Sequence, residues 1–155
     1  MSKSLKRVKA TIEKLELDCE VLETGQAKTA QQAADEMSCH VDQIAKSIIM
    51  AGDVTGSLYL FITAGGQSVD PCRAATLAGE TLGKADATAI RSITGFAIGG
   101  VSPLGHLTPI TSYLDRTLLQ FDHVYAAAGT PHHVFRIDPN ALPSAAQAQV
   151  ADFIR

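Results

Sequence analysis

Apolar residues recur every three or four positions at the start of the chain, which is the pattern of an amphipathic helix. Four of them have this spacing: Leu5, Val8, Ile12 and Leu15. They predict a helix over residues 3–17, whose other face carries Lys3, Lys6, Arg7 and Lys14. A basic face of this kind is usually solvated, and contact with RNA phosphates is the alternative. Residues 19–23 then alternate apolar and polar, which predicts a short strand.

The next segments predict a helix followed by two strands. Thr29 and Gln32 have the spacing of a capping box, which predicts a helix from Ala30 to Met37, with a further helical turn through Val41 and Ile44. The apolar runs at 47–51 and 58–63 predict two buried strands, with Lys46 at the start of the first. A short polar turn joins the two runs, so we expect these strands to be antiparallel.

The second half of the chain predicts further helices and strands around an irregular segment. We expect helices at 71–83, 86–93 and 143–154 and strands at 122–127 and 133–137, while 112–119 is ambiguous. No repeat or linker divides the chain. The pattern predicts one domain over residues 1–155, of the mixed α/β (α+β) class, with a mixed sheet surrounded by helices.

Composition excludes some classes of function but does not identify one. The 155 residues are 46% hydrophobic and 5% aromatic, with no Trp and a net charge of −3. These values argue against DNA or RNA binding through bulk positive charge or stacked aromatics. Residues 92–114 carry no Asp, Glu, Lys or Arg, but their glycines and prolines do not suit a membrane-spanning helix. The start of the chain lacks a signal-peptide pattern and the three cysteines are widely spaced, so we expect a cytoplasmic protein.

A glycine-rich segment at 95–105 (GFAIGGVSPLG) is the first candidate for chemistry. Four glycines and a proline in an apolar run are costly in a helix or strand. Such a loop allows close approach of a ligand to backbone N–H groups, which can bind an oxyanion or a carbonyl. The alternative is a tight loop that only packs against the core. The segment matches neither a Walker A loop nor a dinucleotide-binding motif.

Lys46 is the second candidate, because it lies within the apolar run from Ile44 to Met50. Its ammonium group can anchor a phosphate or a carboxylate, or it can extend to solvent from the strand end. Asp115 is equally compatible with a site carboxylate and with a helix cap. The histidines and cysteines have no metal-ligand spacing, and no nucleophile elbow is present. The residues therefore offer backbone donors and one lysine, with no nucleophile and base pair.

Three segments carry a resemblance to a known family: TAQQAADEMSCHVDQIAKSIIM, TGFAIGGVSPLGHLTPITSYLDRTLL and VYAAAGTPHHVFRIDPNAL. The lysine of QIAKS and the G-x-x-x-P motif from Gly99 to Pro103 are its most specific marks. On these the chain resembles the YbaK/ProX family, the prolyl-tRNA-synthetase insertion-domain superfamily. Its members are small cytoplasmic deacylases that hydrolyse mischarged aminoacyl-tRNA, commonly the proline tRNA, and their sheet is mixed and partly barrel-like, flanked by helices.

The resemblance also implies roles for individual residues. Lys46 orients the terminal adenosine phosphate or the aminoacyl group, while Gly99, Gly100 and Ser102 hold the ester carbonyl and Pro103 fixes their loop. Ser47, Asp115 and Gly129 line the pocket. Water or the substrate's own thiol is the nucleophile, so no metal, cofactor or cysteine of the chain is needed. Threonine is common in relatives where this chain has Ser47, which leaves slightly more room.

The expected function is therefore proofreading of aminoacyl-tRNA, with several details open. Alanine, cysteine, serine, threonine and 2-aminobutyrate esters are all candidate substrates, because a methyl-sized difference changes selectivity by only ~1–3 kcal/mol. One alternative is a cysteinyl-tRNA(Pro) deacylase that uses the substrate thiol. Another is a non-catalytic module that binds an aminoacyl or nucleotide ligand. The acceptor end of aminoacyl-tRNA is the expected partner, with prolyl-tRNA synthetase or an elongation factor as the candidate delivering protein.

Overall fold

A computed structural model describes residues 2–155. Five α-helices lie at Lys3–Lys14 (α1), Ala30–Met37 (α2), Pro71–Ala78 (α3), Ala87–Thr94 (α4) and Leu142–Ala146 (α5). Eight strands lie at Glu20–Glu23 (β1), Ile44–Gly52 (β2), Leu58–Ala64 (β3), Leu82–Lys84 (β4), Thr111–Asp115 (β5), Val124–Ala127 (β6), His133–Ile137 (β7) and Ala148–Ala151 (β8). Short 3₁₀ turns at Val41–Gln43, Arg116–Gln120 and Pro139–Ala141 connect some of them.

The strands form one mixed sheet in the order β1-β7-β6-β2-β3-β5-β8, with β4 paired to β2. The predicted antiparallel pairing of β2 with β3 is confirmed, and β6–β2, β3–β5 and β5–β8 are parallel. The mixed sheet flanked by helices agrees with the sequence-based expectation. It is an open sheet, because its end strands β1 and β8 are not paired with each other in residues 2–155.

Strand β2 is the strand that positions the site, because its two edges are covered unequally. Strand β3 pairs with it continuously from Ala45 to Ala51. On the other edge, β6 pairs only with Ile44 and Ala45, and β4 pairs only with residues 50–52. Residues 46–49 thus have a strand neighbour on one edge only. A gap in the sheet opens there between β6 and β4.

Both faces of the sheet are covered. One face buries the largest apolar cluster, which includes Leu60, Ile62 and Phe96 and the helix residues Leu5 and Val8. The other face buries two smaller clusters, around Phe61 and Phe153 and around Ala34 and Tyr125. Burial on both sides explains why β3 is apolar except for Thr63, since every one of its residues is buried.

Two of the predicted helices are wrong in part, because long-range strand pairing overrides the local pattern. The helix expected at 71–83 ends at Ala78, where Gly79 adopts a left-handed φ of +81°. Residues 82–84 then pair with β2. The helix expected at 143–154 likewise ends at Ala146, and Gln147 turns the chain with a φ of +51°. Residues 148–151 form β8, which pairs with β5.

Other boundaries differ in detail from the predictions. The Thr29 cap is confirmed: its hydroxyl accepts a hydrogen bond from the Gln32 N–H, while the Gln32 side chain accepts one from the Lys28 N–H. The expected helical turn through Val41 and Ile44 is a 3₁₀ turn that ends at Gln43. Since β2 begins at Ile44, Lys46 lies inside the strand. The ambiguous segment 112–119 is divided between β5 and a 3₁₀ turn.

Candidate functional site

A cleft of about 530 Å³ opens at the gap beside β2. Its floor is β2 from Ile44 to Ile49, and its walls come from α2, the end of β4 and the turn between β6 and β7. The glycine-rich loop contributes Ile98, Gly99 and Val101. The lining is mostly apolar, and the volume is in the range usual for sites that bind small molecules.

Lys46 lies on the floor of this cleft and is half-buried. Its Nζ donates a hydrogen bond to the Gly65 carbonyl, 3.1 Å away. This bond uses one of the three donors of the ammonium group and holds the side chain in place. The charged side chains of the lining are Lys28, Lys46 and Lys84 with Glu36, so the cleft is positive in an acidic protein.

The glycine-rich loop reaches the cleft through Gly99, whose φ of +94° is accessible to few residues other than glycine. Gly100 has a different role, in packing. Its N–H donates to the Ala97 carbonyl at 3.0 Å. A Cβ at this position would lie 3.0 Å from the Thr130 Cα and 3.1 Å from the Gly129 carbonyl oxygen. Gly100 therefore allows two loops to pack backbone against backbone.

Ser102 and Pro103 are buried behind the loop and do not line the cleft. The Ser102 hydroxyl accepts a hydrogen bond from the Leu104 N–H. The backbone carbonyl oxygen of Ser102 lies 2.6 Å from the His106 Nε2. Burial lowers the pKa of His106, which favours the neutral ring at neutral pH. Pro103 borders a second cavity of about 320 Å³ beneath α1. These two residues shape the loop from inside.

Arg7 holds the loop from outside, a role that the sequence did not indicate. Its Nε donates to the Gly105 carbonyl at 2.6 Å and its guanidinium to the Gly95 carbonyl at 2.9 Å. The guanidinium also lies over the Phe96 ring, with 4.5 Å between Cζ and the ring centroid. Arg7 therefore binds both ends of the segment, so the guanidinium of this residue on the basic helix face is used within the protein.

Asp115 and Gly129 lie outside the cleft lining. Asp115 is 1% exposed, and its carboxylate accepts hydrogen bonds from the N–H groups of Ala64 and Thr117. These contacts correspond to the helix cap, which is one of the two roles that the sequence allowed for Asp115. Gly129 has a φ of +98°, and a Cβ there would lie 2.8 Å from the Ser4 carbonyl oxygen of α1. Both residues join elements that support the cleft.

Three of the eight candidate residues line the cleft directly: Lys46, Ser47 and Gly99. Sequence reasoning missed Thr130 and His133, which also line it, with 2.6 Å between the Thr130 Oγ1 and the His133 Nδ1. The sequence-based predictions treat the histidines only as possible metal ligands. The one signal for Thr130 and His133 in the sequence is that both belong to GTPHH, within the third of the segments that carry the family resemblance.

The family model of the aminoacyl-tRNA editing domain matches residues 24–145. The chain belongs to the aminoacyl-tRNA editing family. The matched range contains the whole lining of the cleft, whereas α1 and the Arg7 clamp lie before it. The function of this editing domain is therefore the removal of amino acids from mischarged aminoacyl-tRNA, as the resemblance implied.

Individual relatives are similar to the editing domain over most of its length. The editing domain is 39% identical to a solved structure described as a candidate trans-editing enzyme for prolyl-tRNA synthetase, with a TM-score of 0.92 over 100% of this chain and 99% of that one. It is 29% identical to the uncharacterized protein YwhH of Bacillus subtilis over 127 residues, 82% of this chain and 80% of YwhH. It is 26% identical to EbsC of Enterococcus faecalis, named as a candidate Cys-tRNA(Pro)/Cys-tRNA(Cys) deacylase, over 80% of this chain and 76% of EbsC.

Two kinds of feature are absent from residues 2–155 of the editing domain. No group of three or more His, Cys, Asp or Glu side chains is placed to hold a metal ion. No helix in the same range is long and apolar enough to cross a membrane. All three cysteines are free thiols, and none of them lines the cleft.

Proposed function

We propose that this editing domain acts in trans on proline tRNA that carries a small non-cognate amino acid, in the cytoplasm and without a metal. The observation that carries the proposal is a cleft with a fixed lysine in a chain 39% identical, over its whole length, to a candidate trans-editing enzyme for prolyl-tRNA synthetase. The cleft volume suits an aminoacyl group together with the terminal adenosine.

The reaction is hydrolysis of an ester. Water attacks the carbonyl carbon, the bond from that carbon to the ribose oxygen breaks, and the ribose hydroxyl and the free amino acid are released. Charge develops on the carbonyl oxygen, and a preorganised backbone donor stabilises it. We assign this donor role to Gly99, whose backbone lines the cleft. Lys46 orients the phosphate of the terminal adenosine or the aminoacyl group.

The other candidate residues are assigned as supports of this site. Gly100 and Gly129 allow the glycine-rich loop and the turn before β7 to approach each other closely. Ser102 and Pro103 shape the loop from the buried side, and Asp115 ties β3 to the turn after β5. Ser47 contacts the substrate from the floor of the cleft.

A deacylation panel tests the proposal. Proline tRNA charged separately with alanine, cysteine, serine, threonine, 2-aminobutyrate or proline is incubated with the wild type, with Lys46→Ala and with Lys9→Ala. Lys9 is the matched control, because it is an exposed lysine of α1. We expect selective loss of one or two esters, abolished in Lys46→Ala at unchanged thermal stability and retained in Lys9→Ala.

Three other outcomes of the panel are informative. Full activity of Lys46→Ala would overturn the assignment of the site. Saturable binding without turnover of any ester would identify a binding module instead. Turnover that is lost on chelation and restored by a divalent metal would contradict the metal-independent reaction.

The likeness to EbsC favours a second candidate, a cysteinyl-tRNA deacylase. In that reaction the substrate thiol attacks its own carbonyl carbon and the bond to the ribose oxygen breaks. The ribose oxygen takes up the proton lost by the thiol, and a thiolactone leaves instead of free cysteine. The two candidates differ in the first product. Mass spectrometry of samples quenched early distinguishes them, because the thiolactone is lighter than free cysteine by one water until it is itself hydrolysed.

We also propose that a second protein delivers the substrate, since a net charge of −3 supplies little intrinsic affinity for tRNA. Prolyl-tRNA synthetase and an elongation factor are the two candidates. Gel filtration with labelled tRNA, with and without each protein, tests this. Tight binding of tRNA to the editing domain alone would contradict it.

A further inference from the structure

The backbone of β2 alternates between its two edges, and two hydrogen bonds establish which residues face which edge. In an antiparallel pair, alternate residues direct both N–H and C=O toward the partner. The Gly52 N–H donates to the Ser57 carbonyl, on the β3 side, and the Asp53 N–H donates to the Thr81 carbonyl, on the β4 side. Even-numbered residues of β2 therefore face β3, and odd-numbered residues face the opposite edge.

Ser47 and Ile49 are the two odd-numbered residues within the gap, and Ser47 is the one that follows Lys46 and is not adjacent to the residues paired with β4. Ala45 is covered by β6 and Ala51 by β4, but neither register includes Ser47. Within residues 2–155, its backbone N–H and C=O have no partner in the sheet or in the loops. Ser47 lines the floor of the cleft next to Lys46, and both backbone groups face the open edge of β2. An unpaired donor and acceptor in a half-buried strand are costly unless a ligand or solvent satisfies them.

An aminoacyl ester has the groups needed to fill this position. Its α-ammonium group is a donor and its carbonyl oxygen an acceptor, separated by one α-carbon as in a residue of a β-strand. We propose that the aminoacyl group binds as a single antiparallel residue opposite Ser47. The ammonium donates to the Ser47 carbonyl, and the ester carbonyl accepts from the Ser47 N–H. This inference rests on the proposed function and specifies how that site holds its substrate.

The arrangement has two chemical consequences. The Ser47 N–H becomes a donor to the carbonyl oxygen on which charge develops, and this hydrogen bond strengthens in the transition state. Pairing through both backbone groups also directs the substrate side chain toward one face of the sheet. An L-amino acid and its D-isomer then place their side chains differently, so the site discriminates between them.

A substrate series tests the proposal on the unmodified protein. The same tRNA is esterified with L-alanine, with D-alanine or with propionate, which lacks the amino group. Each enzymatic rate is divided by the spontaneous rate of that ester, because the ammonium group itself activates an ester. We expect normalised kcat/KM for the propionyl ester to be ~10- to 100-fold below that for the L-alanyl ester. This is the effect of losing one charge-assisted hydrogen bond, the one from the ammonium group to the Ser47 carbonyl. D-alanyl falls below L-alanyl as well.

The outcomes separate this inference from the function on which it rests. Equal normalised rates for the L-alanyl and propionyl esters would overturn the pairing with Ser47 while the deacylase function stands. Failure to hydrolyse any of these esters, or any ester of the full panel, would instead overturn the proposed function. A serine or cysteine ester and its deamino analogue replace the alanine pair if the panel shows that preference.

A variant pair tests the same hydrogen bond from the protein side. Ser47→Pro removes the N–H that faces the cleft without removing a hydrogen bond to β3, and proline is tolerated in strands at such positions. Ser47→Ala keeps the N–H and removes only the hydroxyl. We expect kcat of Ser47→Pro to be at least ~10-fold below that of Ser47→Ala. Equal kcat in two folded variants would contradict the proposal, and the substrate series decides if Ser47→Pro does not fold.

Discussion

Gly99 illustrates how a single backbone conformation shapes the cleft. Its φ of +94° lies in the left-handed region, yet a Cβ would meet nothing within 4 Å. Any cost of a side chain there is therefore conformational and not steric. Gly56, in the turn between β2 and β3, has a φ of +73° and is equally open, but it lies outside the cleft lining.

The two glycines form a matched test. We expect Gly99→Ala and Gly56→Ala each to lower the free energy of unfolding by ~1–2 kcal/mol, because both strain the backbone. Only Gly99→Ala also lowers kcat/KM, because it moves a backbone donor in the cleft. Urea unfolding and single-turnover deacylation measure the two quantities. A wild-type value of kcat/KM in Gly99→Ala would contradict the role of Gly99 as a backbone donor in the proposed site.

Glu80 shows a different residue-scale effect, away from the site. Its carboxylate accepts hydrogen bonds from the Thr55 hydroxyl and N–H, the Tyr59 hydroxyl and the Val54 N–H. These donors, with the Thr55 hydroxyl first, lower the pKa of Glu80 to about 2. A lowered carboxyl pKa adds stability above the unfolded-state pKa of ~4.3, and this stability is lost as the pH falls toward 2.

Glu80→Gln should therefore lower the free energy of unfolding at pH 7 and bring it closer to the wild-type value as the pH falls from about 4.5 to 2. Urea titrations at several pH values measure this difference. Glu13→Gln, at an exposed position of α1, is the control with the same change of charge. A difference between wild type and Glu80→Gln that is the same at every pH would contradict the linkage.

At the scale of elements, the clamp between α1 and the glycine-rich loop connects a helix outside the matched family range to the site. Arg7 binds the carbonyls of Gly95 and Gly105, and Gly129 lies against the backbone of Ser4. The helix, the turn before β7 and the loop are thus packed together. A change in Arg7 should reach the cleft through the loop.

We expect Arg7→Ala to lower both the free energy of unfolding, by ~2 kcal/mol, and kcat, because two charge-assisted hydrogen bonds are lost. Arg7→Lys restores only part of each, because an ammonium group cannot reproduce the forked geometry of the guanidinium. Lys6→Ala, on the exposed part of the same helix, is the control. Thermal unfolding and separate kcat and KM values test this, and a wild-type kcat in Arg7→Ala would limit Arg7 to a role in stability.

At the scale of the whole molecule, the distribution of charge matters more than its total. The protein is acidic overall, but three lysines and one glutamate line the cleft. Lys28 and Lys84 are exposed and lie on different elements, before α2 and at the end of β4. Neither forms a salt bridge in the part of the chain that the structure describes. Both are therefore free to meet phosphates of an acceptor strand entering the cleft.

Lys28→Ala and Lys84→Ala should each raise KM for mischarged tRNA and reduce the salt dependence of binding by ~0.7–0.9 in slope per phosphate contact. Hydrolysis of an aminoacyl-adenosine, which has no acceptor strand, should change little. Lys9→Ala is again the matched control. An unchanged KM for tRNA in a variant that combines Lys28→Ala with Lys84→Ala would contradict contact between these two lysines and the acceptor strand.

The features that sequence alone determined are those with local causes. The Thr29 cap, the apolar runs of β2 and β3 and the irregular glycine-rich segment depend on neighbouring residues, and all three were confirmed. The segment at 148–151 was predicted as helix because its strand partner, β5, lies more than 30 residues away in sequence. Its pairing energy is absent from any local pattern.

The candidate site divides in the same way. The residues Lys46 and Gly99 could be selected from sequence, because a lysine in an apolar run and glycines in a costly position are local anomalies. Only the tertiary structure showed that the Gly100 N–H is already used, that Arg7 is a clamp and that Asp115 is a cap. It also decided where β2 lacks a neighbour, because the covering of a strand edge depends on chain segments far apart in sequence, whose positions are set by packing of the whole core.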